Sequence, residues 1–254
     1  MIDSHCHIND EMYLSDPSSY IKEAKETGVF SFLVVGSTLK DSKEAVKIAE
    51  EFDECYATVG IHPEEANKLE SDYLEQIREL AKTRKVLAIG EIGLDYYWEK
   101  DEQVREKQKE LFVAQINLAN DLNLPISIHC RDALEDCLNI LKNHKVNRGG
   151  VMHCYAGSYE MAIEFIKLGF LLGFGGTTTF KNSVRPKEVV ASIPSTAYVL
   201  ETDAPYLTPE PFRGHPNHSK YLYLVRNKIA ELRNITPEQV EKETNENFAR
   251  VFGL

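Results

Sequence analysis

Two histidines one residue apart, His5 and His7, stand near the start of this 254-residue chain. Glu91, His129 and His153 follow in its middle, and Asp203 lies toward its end. Imidazole and carboxylate are the donors that hold zinc, manganese or magnesium, and such a mixture does not choose among those ions. Each of the six closes a short apolar run, in IDSHCH, VLAIGE, ISIH, GVMH and VLETD. One H-x-H, or one polar residue at the end of a strand, often arises without function, and Glu91 or Asp203 would equally cap a following helix. The joint pattern is harder to dismiss, because half of the chain's eight histidines fall at the ends of just three runs.

The elements that must position these residues follow from the same runs. Strands are expected over 1–7, 31–36, 56–62, 86–92, 125–130, 149–154, 170–174 and 197–202, and stretches such as FLVV, VLAI and YVL are apolar throughout, as in a parallel sheet covered on both faces. Helical patterns alternate with them over 17–27, 41–52, 71–83, 102–122, 133–143, 158–168 and 186–192. Eight strands in strict alternation predict an α/β fold, a single (β/α)8 TIM barrel using the whole chain, 1–254, with closing helices over 217–233 and 236–252. In the last of these, Thr236 is placed as N-cap, with a proline at the first helical position and Gln239 three residues on. An open doubly wound sheet is disfavoured, since no G-x-G-x-x-G follows the first strand and helices, not strands, follow the eighth.

Barrel enzymes build their sites at the carboxyl ends of the strands, where all six donors fall. Side chains alternate along a strand, so His5 and His7 point inward together while Cys6 points away, and the same parity turns Cys130 and Cys154 toward the helical layer as packing residues. Six donors exceed one tetrahedral zinc, which favours two ions with Glu91 bridging, as its strand lies between the other two groups. His5, His7 and Asp203 are expected to hold one ion, and His129 and His153 the other. Parity also puts Glu201 inward beneath Asp203, where it orients a ligand or pairs with an arginine, Arg131 first among candidates. Arg131 and His62 are the candidate substrate contacts, against a rim salt bridge and a buried hydrogen bond respectively. Tyr96, Tyr97 and Trp98 follow the fourth strand, to stack on bases or to pack as a lid. His144 is placed on the surface.

A net charge of −11 argues against gripping nucleic acid with the whole surface. It leaves room for a local site: between Leu171 and Arg233, eight Lys or Arg stand against five acids. No apolar run is long enough to span a membrane, and MIDSHCHIND lacks the basic and apolar regions of a signal peptide. Five scattered cysteines, with no C-x-x-C pair, predict reduced thiols and a cytoplasmic protein. Nothing implies a protein partner.

The pieces IDSHCHI, VGIHPEEA, IGEIGLDYY, PISIHCRDA, MHCYAGS, LETDAPYLTPEPFRG and TNENFARVFGL run nearly the whole chain in order, and together they closely resemble the TatD family of metal-dependent hydrolases, within the amidohydrolase superfamily. The resemblance implies a dinuclear site from His5, His7, Glu91, His129, His153 and Asp203, and metal-dependent, exonuclease-like cleavage of DNA bound at the barrel mouth. Asp203 would take the proton of an activated water, with Arg131 on the phosphate. The family usually has N-E-P where this chain has Asn217, His218 and Ser219, a departure beyond the ligands that bears on substrate contacts. The alternative is a sister amidohydrolase cleaving an amide, lactone or other ester of a small substrate. Many relatives in that wider superfamily bridge their metals with a carboxylated lysine, whereas Glu91 suits the TatD resemblance. A non-catalytic relic barrel predicts missing ligands, and none is missing.

Overall fold

Uniformly apolar strands need cover on both faces, and the chain supplies it by winding helices around a sheet that curls on itself. The structure, a computed structural model, describes residues 1–254. Its strands are β1 (Ile2–Cys6), β2 (Ser31–Val35), β3 (Cys55–Val59), β4 (Val86–Asp95), β5 (Ile126–Arg131), β6 (Gly150–Met152), β7 (Phe170–Phe174) and β8 (Tyr198–Leu200). Each pairs in parallel with the next, in the order of the sequence. Around them run α1 (Pro17–Glu26), α2 (Leu39–Glu51), α3 (Tyr73–Leu80), α4 (Glu102–Asp121), α5 (Leu134–Asn143), α6 (Tyr159–Lys167) and α7 (Arg185–Ser192), followed by α8 (Leu222–Arg233) and α9 (Pro237–Phe252). This is the (β/α)8 barrel. No helix is long and apolar enough to cross a membrane.

The helices start where side-chain oxygens meet unpaired N–H groups. Asp16, Thr38, Asp101, Ser158 and Thr236 cap α1, α2, α4, α6 and α9. Thr236 accepts from the Gln239 N–H at 3.2 Å, but the Gln239 amide donates to Glu243 rather than reaching back, so only half of a capping box forms. The expected helix over 217–233 begins only at Leu222, after a 3-10 turn at Ser219–Tyr221, because the buried Asn217 amide is tied to the carbonyls of Thr202 and Tyr206 instead.

Between β8 and β1 the barrel is closed by a few bonds. Asp203 N–H donates to the His5 carbonyl and His7 N–H to the Ala204 carbonyl, both at 2.9 Å. Below them the fully buried Asp3 carboxylate accepts from Thr202 N–H (3.0 Å), Thr202 Oγ1 (2.6 Å) and Ser219 Oγ (2.6 Å). At the opposite end from the strand termini of interest, Leu33, Leu87, Val151, Leu171 and Val199 cluster with Phe248, Val251 and Phe252. Helix α9 is thus a stopper on the amino-terminal end of the barrel, and the carboxyl-terminal end is left to the site.

Candidate active site

Glu91 sits at the centre. Its side chain is 5 % exposed, with Oε2 3.6 Å from His5 Nε2 and Oε1 3.0 Å from His129 Nδ1. Asp203 lies toward the β1 side, its Oδ1 at 3.6 Å from His5 Nε2, 3.4 Å from His7 Nε2 and 3.5 Å from His153 Nε2. The His5 and His153 rings stack at 3.5 Å between centroids. All six expected donors therefore meet at one mouth. They group as His5, His7 and Asp203, as His5, Glu91 and His153, and as His62, Glu91 and His129, with donor atoms within 4.8 Å in each group.

The pairing within this cluster differs from the expectation drawn from barrel order. His129 and His153 fall in separate groups, because each ring is also held from behind. β4 continues to Asp95, three residues beyond the expected end, and Asp95 Oδ2 lies 2.9 Å from His129 Nε2. Sequence reasoning missed this residue, although Asp95 is four positions beyond Glu91 and so has the same pleat parity. Behind His153, Glu201 Oε2 lies 3.1 Å from Nδ1. Glu201 thus faces a histidine and not Arg131, which lies exposed on the rim with its guanidinium 3.8 Å above the Tyr97 ring and 5.6 Å from that of Trp98.

Parity fails for one cysteine. β6 ends at Met152, and Cys154 takes a left-handed backbone with φ 47°, so its thiol turns toward the donor group of His153 and Glu201 instead of away. Burial, with Glu201 and Asp203 nearby, pushes that thiol well above its usual range and keeps it protonated. Cys6 behaves as expected, buried with Sγ 3.5 Å from the Leu33 carbonyl.

Of the remaining expected contacts, His62 packs edge-on against His129 at 4.3 Å, and its Nδ1 accepts from the Glu64 N–H. Burial, reinforced by His129, drives it down to about 3, so it is neutral. Tyr96 is buried and donates to Asp136 at 2.8 Å, whereas Tyr97 and Trp98 are 43 % and 64 % exposed and do not form a packed lid. His218 and Ser219 are engaged by α1 and by the β8–β1 seam: His218 stacks on Tyr20 at 3.9 Å and lies 3.7 Å from Glu23, and Ser219 donates to Asp3. The basic excess near the carboxyl end is also partly spent elsewhere, since Lys220, Arg226 and Lys228 pair with Glu23, Glu241 and Glu231.

The electrostatics of the cluster favour added positive charge. Burial lowers the imidazoles of His129 and His153, but the carboxylates of Asp95 and Glu91 around the first and of Glu201 and Asp203 around the second outweigh it, raising them to about 9 and about 10. Burial alone would raise Glu91, yet His5 and His129 hold it well below the usual carboxylate range. His5 is buried, and neither of its ring nitrogens has a hydrogen-bond partner. Orphaned imidazole nitrogens among ionised carboxylates are a donor set that fits divalent cations.

A parallel eight-stranded barrel with such a set at the carboxyl ends of its strands is that of a metal-dependent hydrolase. The chain belongs to the TatD related DNase family, which it matches over residues 2–253. It is 45 % identical over 255 residues to the uncharacterized metal-dependent hydrolase YabD of Bacillus subtilis, covering 100 % of this chain and 99 % of that one. It is 31 % identical over 261 residues, and over the full length of both, to a protein of Pantoea ananatis named 3'-5' ssDNA/RNA exonuclease TatD. The crystal structure of the Escherichia coli TatD homologue YjjV superposes with a TM-score of 0.95 at 31 % identity, covering 100 % of this chain and 98 % of the other.

Proposed function

We propose that this protein is a deoxyribonuclease that hydrolyses phosphodiester bonds from a DNA end with two divalent ions, which His5, His7, Glu91, His129, His153 and Asp203 would hold between them. The observation that carries this reading is the convergence of four imidazoles on Glu91 and Asp203 beside an exposed arginine–aromatic rim. The exonuclease name of the Pantoea ananatis relative supports the phosphodiester over the amide or lactone alternative. When bound, divalent ions lower the pKa of water and neutralise charge on phosphoryl oxygens.

The protein's own groups supply the rest. Asp203 is the more exposed of the two central carboxylates, 14 % against 5 % for Glu91, and so is the one able to meet a solvent molecule. Burial would raise it, but His153 and His7 keep it below its ordinary value and therefore ionised at neutral pH, ready to accept the proton of the attacking water. Arg131 is preorganised by its stacking on Tyr97 and has no carboxylate partner, so its N–H groups are available to a phosphate. Tyr97 and Trp98 offer exposed rings for an unpaired base, a sequence-tolerant contact.

The test is digestion of end-labelled single- and double-stranded DNA by protein loaded with manganese, magnesium or zinc, alongside a panel of amides and lactones. Asp203→Ala is expected to lower DNA turnover by about 10²–10⁴-fold, the contribution of a positioned base. Amide or lactone turnover without DNA cleavage would replace this reading with the amidohydrolase one, and full activity of Asp203→Ala at equal metal content would remove Asp203 from the chemistry.

A further inference from the structure

His129 and His153 each have a carboxylate oxygen close to both ring nitrogens. For His129, Glu91 Oε1 lies 3.0 Å from Nδ1 and Asp95 Oδ2 2.9 Å from Nε2. For His153 the arrangement is mirrored, with Glu201 Oε2 3.1 Å from Nδ1 and Asp203 Oδ1 3.5 Å from Nε2. We propose that Asp95 and Glu201 are positioning residues that lock these two histidines in opposite tautomers, so that His129 presents Nδ1 and His153 presents Nε2 to a divalent ion. The inference rests on the reading of both histidines as metal ligands.

What separates the two carboxylates behind the rings from the two in front is how each is anchored. Asp95 commits Oδ1 to the backbone N–H groups of Tyr97 (2.9 Å) and Trp98 (3.0 Å), leaving Oδ2 for the imidazole. Glu201 commits Oε1 to the Cys154 N–H at 2.7 Å, leaving Oε2 for the imidazole. Glu91 and Asp203 accept no backbone N–H and face only histidines. A carboxylate tied to the backbone on one oxygen is a fixed acceptor, and the ring nitrogen opposite it must carry the proton. The other nitrogen, facing the centre of the cluster, is then the one whose proton a divalent ion would displace.

Burial agrees with this division. The side chains of Asp95 and Glu201 are 1 % and 0 % exposed, so neither reaches solvent or substrate. His153 Nδ1 and Glu201 Oε2 are not aligned as a full hydrogen bond, yet both are buried and neither has another partner, so the ring has no competing acceptor for an Nδ1 proton. The neighbouring strand makes space for this contact: a Cβ at Gly173 would overlap Glu201 Oε2. Asp95 also links the site to its rim, since the same carboxylate that faces His129 holds the backbone of Tyr97 and Trp98.

Long-range ¹H–¹⁵N correlation spectra of ¹⁵N-histidine-labelled protein, with and without zinc, read the tautomers directly, with assignments from His129→Gln and His153→Gln. The expected result is a proton on Nε2 and a zinc-shifted Nδ1 for His129, with a proton on Nδ1 and a zinc-shifted Nε2 for His153. Zinc on the opposite nitrogen of either ring overturns the tautomer assignment while leaving the ligand reading intact. If zinc shifts neither ring, the ligand reading fails and takes this inference with it. Asp95→Asn and Glu201→Gln keep an oxygen for the backbone N–H but remove the charge, and each is expected to weaken zinc binding by about 10–100-fold. Unchanged zinc affinity in either variant refutes the role of that residue, and a variant that does not fold leaves the spectra of the native chain to decide.

Discussion

At the residue scale, His129 and His153 hold protons that any bound cation must displace. Their imidazoles sit at about 9 and about 10, raised by carboxylates in spite of burial, so both are charged at neutral pH. A metal ligand must offer a lone pair, and binding therefore releases protons. The sign follows: affinity for zinc or manganese is expected to rise with pH through the neutral range up to about 10, and to fall as the medium is acidified. Isothermal titration in buffers of different ionisation enthalpy measures the released protons. Zero release at pH 7 would contradict the assignment of these imidazoles to the metal site.

At the element scale, the barrel is least secured where β8 meets β1, and this is also where Asp203 is placed. Asp3 holds that seam with one carboxylate that satisfies a backbone N–H and two hydroxyls, all buried. Asp3→Ala leaves these donors without an acceptor, and a loss of about 3 kcal/mol in urea denaturation is expected. Because Asp203 N–H is bonded to the His5 carbonyl across the same seam, the variant should lose metal affinity as well as stability. At the other end of the barrel, Phe248→Ala removes a buried ring from the α9 stopper and is expected to destabilise by about 3–5 kcal/mol. Its metal affinity should be unchanged, since the apolar cluster in which Phe248 packs contains none of the donors. Parallel denaturation and metal titration of the two variants separate the seam from the stopper.

At the scale of the whole molecule, a chain of net charge −11 concentrates buried carboxylates at one mouth, where charged imidazoles balance them and divalent ions would take the place of those protons. Divalent ion at about a hundred times its dissociation constant adds about 2.7 kcal/mol. For a chain of this length that corresponds to a rise in Tm of about 5–10 °C. Calorimetry with and without chelator checks this, and equal Tm in both conditions would show that the ions do not bind the folded cluster. Under the proposed function, the same charge balance predicts that a DNA substrate is held at the mouth alone, with a weak dependence of affinity on salt of about one or two phosphates.

The fold was legible because its signals are local. Apolar runs and helical periodicity recur in order, and a polar donor closing a run is visible without knowing what lies beside it; hence the barrel and all six converging donors could be read from residue types and spacing. Pairings within the site were not legible, since the rule of alternating faces holds only while the backbone stays in a strand. β6 stops at Met152 and the chain turns at Cys154, so that cysteine faces the cluster against its parity; Asp203 likewise sits past the end of β8 with φ 57°. Asp95 lay hidden because β4 runs three residues beyond the end of its apolar run. The partner of Glu201 depends on which groups from β6 and β8 are brought within about 3 Å, a distance set by barrel closure and by the space at Gly173. The sequence by itself determined which chemical groups meet at the mouth; only the tertiary structure decided which atom of each faces which neighbour, because that is set by contacts between segments far apart in the chain.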